Sequence, residues 1–347
     1  MTLRFMRLIA TRPRATLAKV VGCVIGVAVA ATLTGCGVAS TPGTQPASDG
    51  QTRTVADATG ATVTVPADPQ TVVTLSEPTL DGVLALDMKP AGTTAGRGLQ
   101  AAPSYLGDRA AGVPIVGNVA NPNFEEIGKL KPDLILTDGT SINDDAQIEQ
   151  LKALAPVVVA GDAGGSWRDN FRIVGDALNR ADEAAKVVQS YEEHVDDVKA
   201  QLGDYSGKTF SIVRWQGNTA SLILQELLPG QALTDLGLQR PASQNREGAG
   251  HSEPVSLENL SEIDADYMFF GTLGGSSVDN SDAGGASDEE AAKEALRQAV
   301  AVPGFTSLNV YQQQHVFLVD GSRWTSTGGP LLMDSLITDV QNKLAGE

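Results

Sequence analysis

Short β-branched apolar runs alternate with amphipathic segments along most of this chain, and that alternation restricts the fold more than any other feature. The runs "TVVTL" (71–75), "PAGTTA" (90–95), "PIVG" (114–117), "PDLILT" (132–137) and "PVVVA" (156–160) predict five strands. After a gap come "TFSIVRW" (209–215), "DYMFFG" (266–271) and "HVFLVD" (315–320). Continuous apolar runs with helices between them predict α/β architecture, with parallel strands covered on both faces. The gap, residues 166–208, holds no strand candidate. Phe171, Val174, Ala177 and Leu178 make one apolar stripe, and Ala184, Val187, Val188, Tyr191, Val195, Val198 and Leu202 make another. These stripes predict a helix, a break near Asn179 with Asp182 as N-cap, and then a helix of about twenty residues spanning roughly 30 Å. A first lobe over 58–180, a connecting helix over 181–206 and a second lobe over 207–347 follow from that reading.

The first residues form a different kind of segment. Arg4, Arg7, Arg12, Arg14 and Lys19 precede the apolar run "VVGCVIGVAVAATL", and no acidic residue appears before Asp49. The run is short for a membrane span and rich in small residues. "LTGC" (33–36) then resembles a bacterial lipobox, which implies cleavage after residue 35 and acylation of the Cys36 thiol. Residues 1–35 are accordingly read as a lipoprotein signal peptide. Two or more acyl chains anchor stably, each buried CH₂ contributing about 0.8 kcal/mol. Residues 36–57, rich in Ser, Thr, Pro and Gly, read as a flexible stalk. The expected location is the cell membrane, on its extracytoplasmic side.

Past the signal, Cys36 is the last cysteine, so disulfides, thiolate metal sites and a cysteine nucleophile are excluded from the mature chain. Removing the five basic residues of the signal leaves 20 basic against 42 acidic side chains, a formal charge of about −22. Such a field disfavours nucleic acid and anionic lipid surfaces. The chain has only three histidines, His194, His251 and His315, none at metal-ligand spacing. "GDYSGKT" (203–209) has the wrong spacing for a P-loop and leads into a strand. No metal site and no catalytic constellation emerges, which favours a binding protein over an enzyme.

Ligands of open α/β sheets bind beyond the carboxyl ends of strands. Tyr105, Trp215 and Trp324 fall in such positions, as do Arg97, Arg214 and Arg240. Aromatic faces and guanidinium groups together suit a large, planar or anionic ligand.

"TVVTLSEPTLDGVLALDMKPAGTTA", "PNFEEIGKLKPDLILTDG", "VSLENLSEIDADYMFF" and "HVFLVDGSRWTSTGG" together resemble substrate-binding proteins of bacterial ABC importers for ferric siderophores, haem and vitamin B12, of the actinobacterial type. The resemblance implies two Rossmann-like lobes of mainly parallel sheet joined by one long α-helix, with the ligand cleft between the lobes. It places Arg97 and Tyr105 on the first-lobe wall, and Arg214, Trp215, Arg240 and Trp324 on the second. It also implies one acidic residue per lobe for docking on the permease: Glu125, with Glu126 beside it as an alternative, and Glu258. The implied function is capture of a ferric siderophore by a monomer for delivery to an ABC transporter. Iron would stay inside its chelator, with no resident cofactor and no protein metal ligand. Haem, a corrinoid or a non-transport envelope role are the alternatives, and a single connecting helix implies closure of limited amplitude.

Overall fold

The computed structural model describes residues 50–119, 121–162, 165–248, 252–273 and 286–346. Cys36 lies outside the described residues. All described residues belong to one compact unit. It opens with a two-stranded antiparallel ribbon, β1 (Thr52–Ala56) and β2 (Thr62–Pro66). This corrects the stalk assignment, which extended to residue 57. The ribbon is mostly exposed and buries only Val55 and Val65, so its composition reads as a linker. It is held by the hydrogen bond from the Ala58 N–H to the Val159 carbonyl (2.8 Å) and by Arg53, which donates to the Ala177 carbonyl at 2.7 Å.

The first lobe contains β3 (Val72–Thr74), α1 (Glu77–Ala85), β4 (Gly92–Ala95), β5 (Ile115–Asn118), β6 (Asn121–Pro122), α2 (Phe124–Leu130), β7 (Leu134–Thr137), α3 (Asp145–Lys152) and β8 (Val157–Val159). Its strands lie in the order β6-β5-β4-β3-β7-β8, parallel except for the short edge strand β6. Strands β3, β4 and β7 are buried along their whole length, as continuous apolar runs require when both faces are covered.

Helices α4 (Trp167–Ala177) and α5 (Ala181–Lys199) follow. Ser166 caps α4 by accepting from the Asp169 N–H at 3.2 Å. On α5, Ala184, Tyr191, Val195 and Val198 bury one face at helical spacing. Arg180, not Asp182, occupies the N-cap of α5, and it makes no side-chain cap; Asp182 sits in the first turn. There its carboxylate favours the helix N-terminus through the dipole. Gly175 allows the two helices to approach closely, because a Cβ there would lie 2.7 Å from that of Ala184.

The second lobe contains β9 (Phe210–Gln216), β10 (Thr219–Leu222), α6 (Leu228–Asp235), β11 (Glu253–Val255), β12 (Tyr267–Gly271), α7 (Glu289–Val300), α8 (Asn309–Gln312), β13 (Val316–Leu318), α9 (Gly321–Trp324) and α10 (Pro330–Val340). Strand order is β11-β10-β9-β12-β13; β9, β12 and β13 are parallel, while β10 and β11 are antiparallel. The fold is thus α/β with parallel-rich sheets in two lobes.

Helix α5 does not stand alone between them. Helix α10 returns from the second lobe and packs on α5, α1 and α6, and one apolar cluster runs through α1, α4, α5, α6 and α10. Asp81 of α1 fastens this return. Its buried carboxylate accepts from the Leu331 and Leu332 N–H groups, both at 2.9 Å, and from the Tyr105 hydroxyl at 2.8 Å. It therefore caps α10 from the other lobe. Gly329 is required by the same contact, since a Cβ there would meet the Asp81 Oδ1 at 2.8 Å.

Candidate ligand-binding site

In the first lobe the chain runs from β3 to β4 and β5 on one side, then returns through α2 to β7 on the other. This reversal between β3 and β7 places a crevice at their carboxyl ends. Ser76 and Glu77 follow β3, Arg97 follows β4, and Asp138 follows β7. The Arg97 N–H donates to Glu77 Oε1 at 2.6 Å, which ties the two loops together. Arg97 is only 6% exposed, yet its guanidinium has no hydrogen-bond or ion-pair partner among the described residues, and its Nε is fully buried.

Arg214, at the end of β9, supplies the opposing group. Its Nη1 donates to the Thr325 carbonyl at 3.2 Å and its Nη2 to Ser252 Oγ, leaving a buried Nε without a partner. Burial pulls this guanidinium down to about 10, and the positive charge of Arg97 adds to that effect. The two arginines, one from each lobe, therefore feel each other's charge. The adjoining loops also touch: Ser104 Oγ donates to Asp320 Oδ2 at 2.7 Å, and Asp320 caps α9, which leads into Thr325. Buried hydroxyls without partners, Thr94 and Thr327, lie in the loops and strand ends on either side. Leaving a guanidinium buried and unpartnered costs several kcal/mol on the usual scale, so such a site is stabilised by an anion that replaces the lost water.

The other expected wall residues are placed elsewhere. Trp215 is fully buried in the second-lobe core, stacked near Phe270 and edge-on to Phe305, with its Nε1 donating to the Gly217 carbonyl. Trp324 is fully buried on Phe269, ring centroids 4.0 Å apart, and donates to Asp339 Oδ2 at 3.0 Å. Both are packing residues, because a buried indole gains more from apolar contact than a solvated wall could offer. Arg240 lies inside the second lobe, donating to the Ile223 carbonyl and Gln244 Oε1, both at 2.5 Å; the charge that acts on it is that of Glu226, not Arg97. Tyr105 is half-buried, and its hydroxyl is committed to Asp81. It secures the return of α10 and does not present its hydroxyl to the cleft.

Two acids in the crevice went unnoticed in the sequence. Glu77 is 2% exposed with Oε2 unpartnered. Asp138 accepts at Oδ1 from the Thr140 and Ser141 N–H groups (3.0 and 2.5 Å), and its Oδ2 has no partner. Burial raises the Asp138 carboxyl to about 6, and the charge of Glu77 adds to the rise. The available signal was position: each acid stands within three residues of the end of a buried apolar strand.

Glu125 and Glu126 occupy the first turn of α2, where the Asn123 side chain accepts from both of their N–H groups at 3.1 Å. Lys129 pairs with both carboxylates, at 3.0 and 2.8 Å. Glu258 lies in the first turn of a 3₁₀ segment, Leu257–Ile263, capped by Ser256. It is exposed and forms no ion pair among the described residues. The two lobes thus carry exposed acids at equivalent kinds of position.

A separate depression of ≈ 880 Å³ lies between the β1–β2 ribbon and α3, lined by Thr62, Thr64, Ile148, Lys152 and Leu154 among others. None of its lining residues carries a buried unpartnered charge. No group of His, Cys, Asp and Glu side chains able to hold a metal occurs among the described residues. No helix there is long and apolar enough to cross a membrane.

Comparison with known proteins identifies the family. The chain is 30% identical over 314 residues to the probable siderophore-binding lipoprotein YfiY of Bacillus subtilis, covering 89% of this chain and 93% of that protein. It is 25% identical over 277 residues to the achromobactin-binding periplasmic protein of Dickeya dadantii, covering 78% and 85%. Staphylococcus aureus SirA complexed with staphyloferrin B has the same fold, with a TM-score of 0.69 at 24% identity over 84% of this chain and 98% of that one. FeuA of Bacillus subtilis complexed with ferri-bacillibactin superimposes with a TM-score of 0.68 at 19% identity, covering 85% and 99%. The family profile described as periplasmic binding protein matches residues 72–322. The chain belongs to the periplasmic binding protein family.

Proposed function

We propose that this chain captures a ferric siderophore outside the cytoplasm, in the crevice between its lobes, and delivers it to an ABC permease for iron uptake. The observation that carries this reading is the pair Arg97 and Arg214, buried guanidiniums contributed by opposite lobes with donors left open. The names of the relatives, which include siderophore and ferric citrate binders, support the same ligand class. Iron arrives inside its chelator and needs no ligand from the protein. His194 is engaged with Asp334 and His315 with the Asp266 carbonyl, which favours a siderophore over haem. The chain acts as a monomeric binding protein, not an enzyme.

Cys36 carries the lipid that keeps the receptor at the membrane surface, and Glu125 and Glu258 orient it on the permease. Exposed charges of this sort set register and encounter rate more than stability. Calorimetric titration of the purified full chain in mild detergent with ferric siderophores, haemin and cobalamin tests the ligand. Saturable one-to-one binding of a ferric siderophore is expected; binding of haemin or cobalamin alone contradicts the reading. For docking, Glu258→Lys should lower iron uptake in cells while leaving ligand affinity in solution unchanged. Cys36→Ser should release the protein from the membrane fraction.

A further inference from the structure

We infer that the chelate this site prefers carries free carboxylate groups, as citrate-type α-hydroxycarboxylate siderophores do, and that neither trishydroxamates nor triscatecholates satisfy it; this rests on the siderophore reading above. Arg97 is the deciding residue. The residue is 6% exposed, its Nε is buried without a partner, and no described residue accepts a hydrogen bond from its guanidinium. Glu77 spends one oxygen on the Arg97 main-chain N–H and forms no ion pair with the guanidinium. Arg214, on the other lobe and close enough to feel the Arg97 charge, has a second buried Nε without a partner and is held in place by the Thr325 carbonyl and Ser252.

The planar donor fork of arginine matches a carboxylate edge with two parallel hydrogen bonds. A chelate with free carboxylates supplies such edges outside the iron coordination sphere. A ferric trishydroxamate is neutral or cationic and leaves both buried charges unpaired. A ferric triscatecholate is anionic, but its charged oxygens are bound to iron and its outer surface is aromatic ring. Among the described residues the crevice offers no matching aromatic wall. Trp215 and Trp324 are sealed in the core, and the Tyr105 hydroxyl is committed to Asp81.

The test is competition calorimetry on the full chain with ferric citrate, ferrioxamine B and ferric enterobactin, repeated on Arg97→Ala and Arg97→Lys. Ferric citrate should bind about a hundredfold more tightly than either of the others. Arg97→Ala should erase that ratio with the thermal midpoint unchanged. Arg97→Lys, which keeps the charge but not the fork, should recover only part of it. Tighter binding of ferrioxamine B or ferric enterobactin overturns the class while leaving the siderophore reading in place. A ratio unchanged in Arg97→Ala overturns the role of the arginine. Failure of all three chelates to bind removes the siderophore reading itself.

Discussion

Arg97 at the crevice and Arg240 inside the second lobe are equally buried, both at 6% exposure, and neither forms an ion pair with a carboxylate. They differ in their acceptors. Arg240 donates to a main-chain carbonyl and to Gln244, whose Oε1 also accepts from the Ile212 N–H, so the protein itself satisfies part of that guanidinium. The Arg97 guanidinium donates to no described residue. Burial alone therefore does not identify a ligand-binding arginine. Arg240 also leaves Nε and Nη1 buried without a partner, so the difference is that its Nη2 is held by the protein, whereas no nitrogen of the Arg97 guanidinium is held by a described residue; an unsatisfied buried charge persists only where another gain offsets its cost.

The contrast can be broken by mutation. Arg97→Ala should cost about 2–5 kcal/mol of ligand affinity, read by calorimetry, with no fall in thermal midpoint, because it removes a charge the free protein does not pair. The next effect in size concerns buried acids. Asp81 is held by three donors, yet burial still raises its carboxyl to about 6 from 3.8. The folded state thus keeps a proton that the unfolded chain releases. Its contribution to stability is fully present below pH 4 and is lost as pH rises through about 6, by about 3 kcal/mol at most. Urea unfolding of wild type and Asp81→Asn from pH 4 to 7 should show the variant without that component. A pH-independent difference between the two would remove Asp81 as the source.

Arg240→Ala reverses the pattern of Arg97. It should lower stability by about 1–3 kcal/mol through the acceptors it strands, with affinity unchanged. A loss of affinity would return Arg240 to the binding site. The smallest effect is expected at Trp324→Phe, which keeps the stack on Phe269 but loses the bond to Asp339, at a cost of about 1 kcal/mol. Calorimetric affinity should not move, since the indole does not line the crevice.

Much of the fold was legible because parallel strands buried on both faces announce themselves as apolar runs. The ribbon β1–β2 was not, since "TRTVA" and "TVTVP" each bury a single valine. Nor was β10, whose "TASL" carries only Ala220 and Leu222 into the core and is fixed by its pairing with β9. In the crevice, Arg97 and Arg214 were readable from residue type and position after a strand. The tryptophans misled because loop position was weighed above strand phase. Trp215 shares the inward face of β9 with Val213, two residues earlier, and both belong to the second-lobe core. Glu77 and Asp138 were hidden because acids are common in helix caps and turns, and only tertiary contact reveals that these two are buried.

A ligand held between Arg97 and Arg214 would bring its iron to the space between the lobes. Crystals of the full chain grown with a bound ferric siderophore, located by the anomalous scattering of iron, test this placement most directly. The account predicts a single iron site between the lobes, with chelate oxygens within hydrogen-bond reach of both guanidiniums and no protein atom bound to the metal. Iron beside the β1–β2 ribbon, or coordinated by protein side chains, would contradict it.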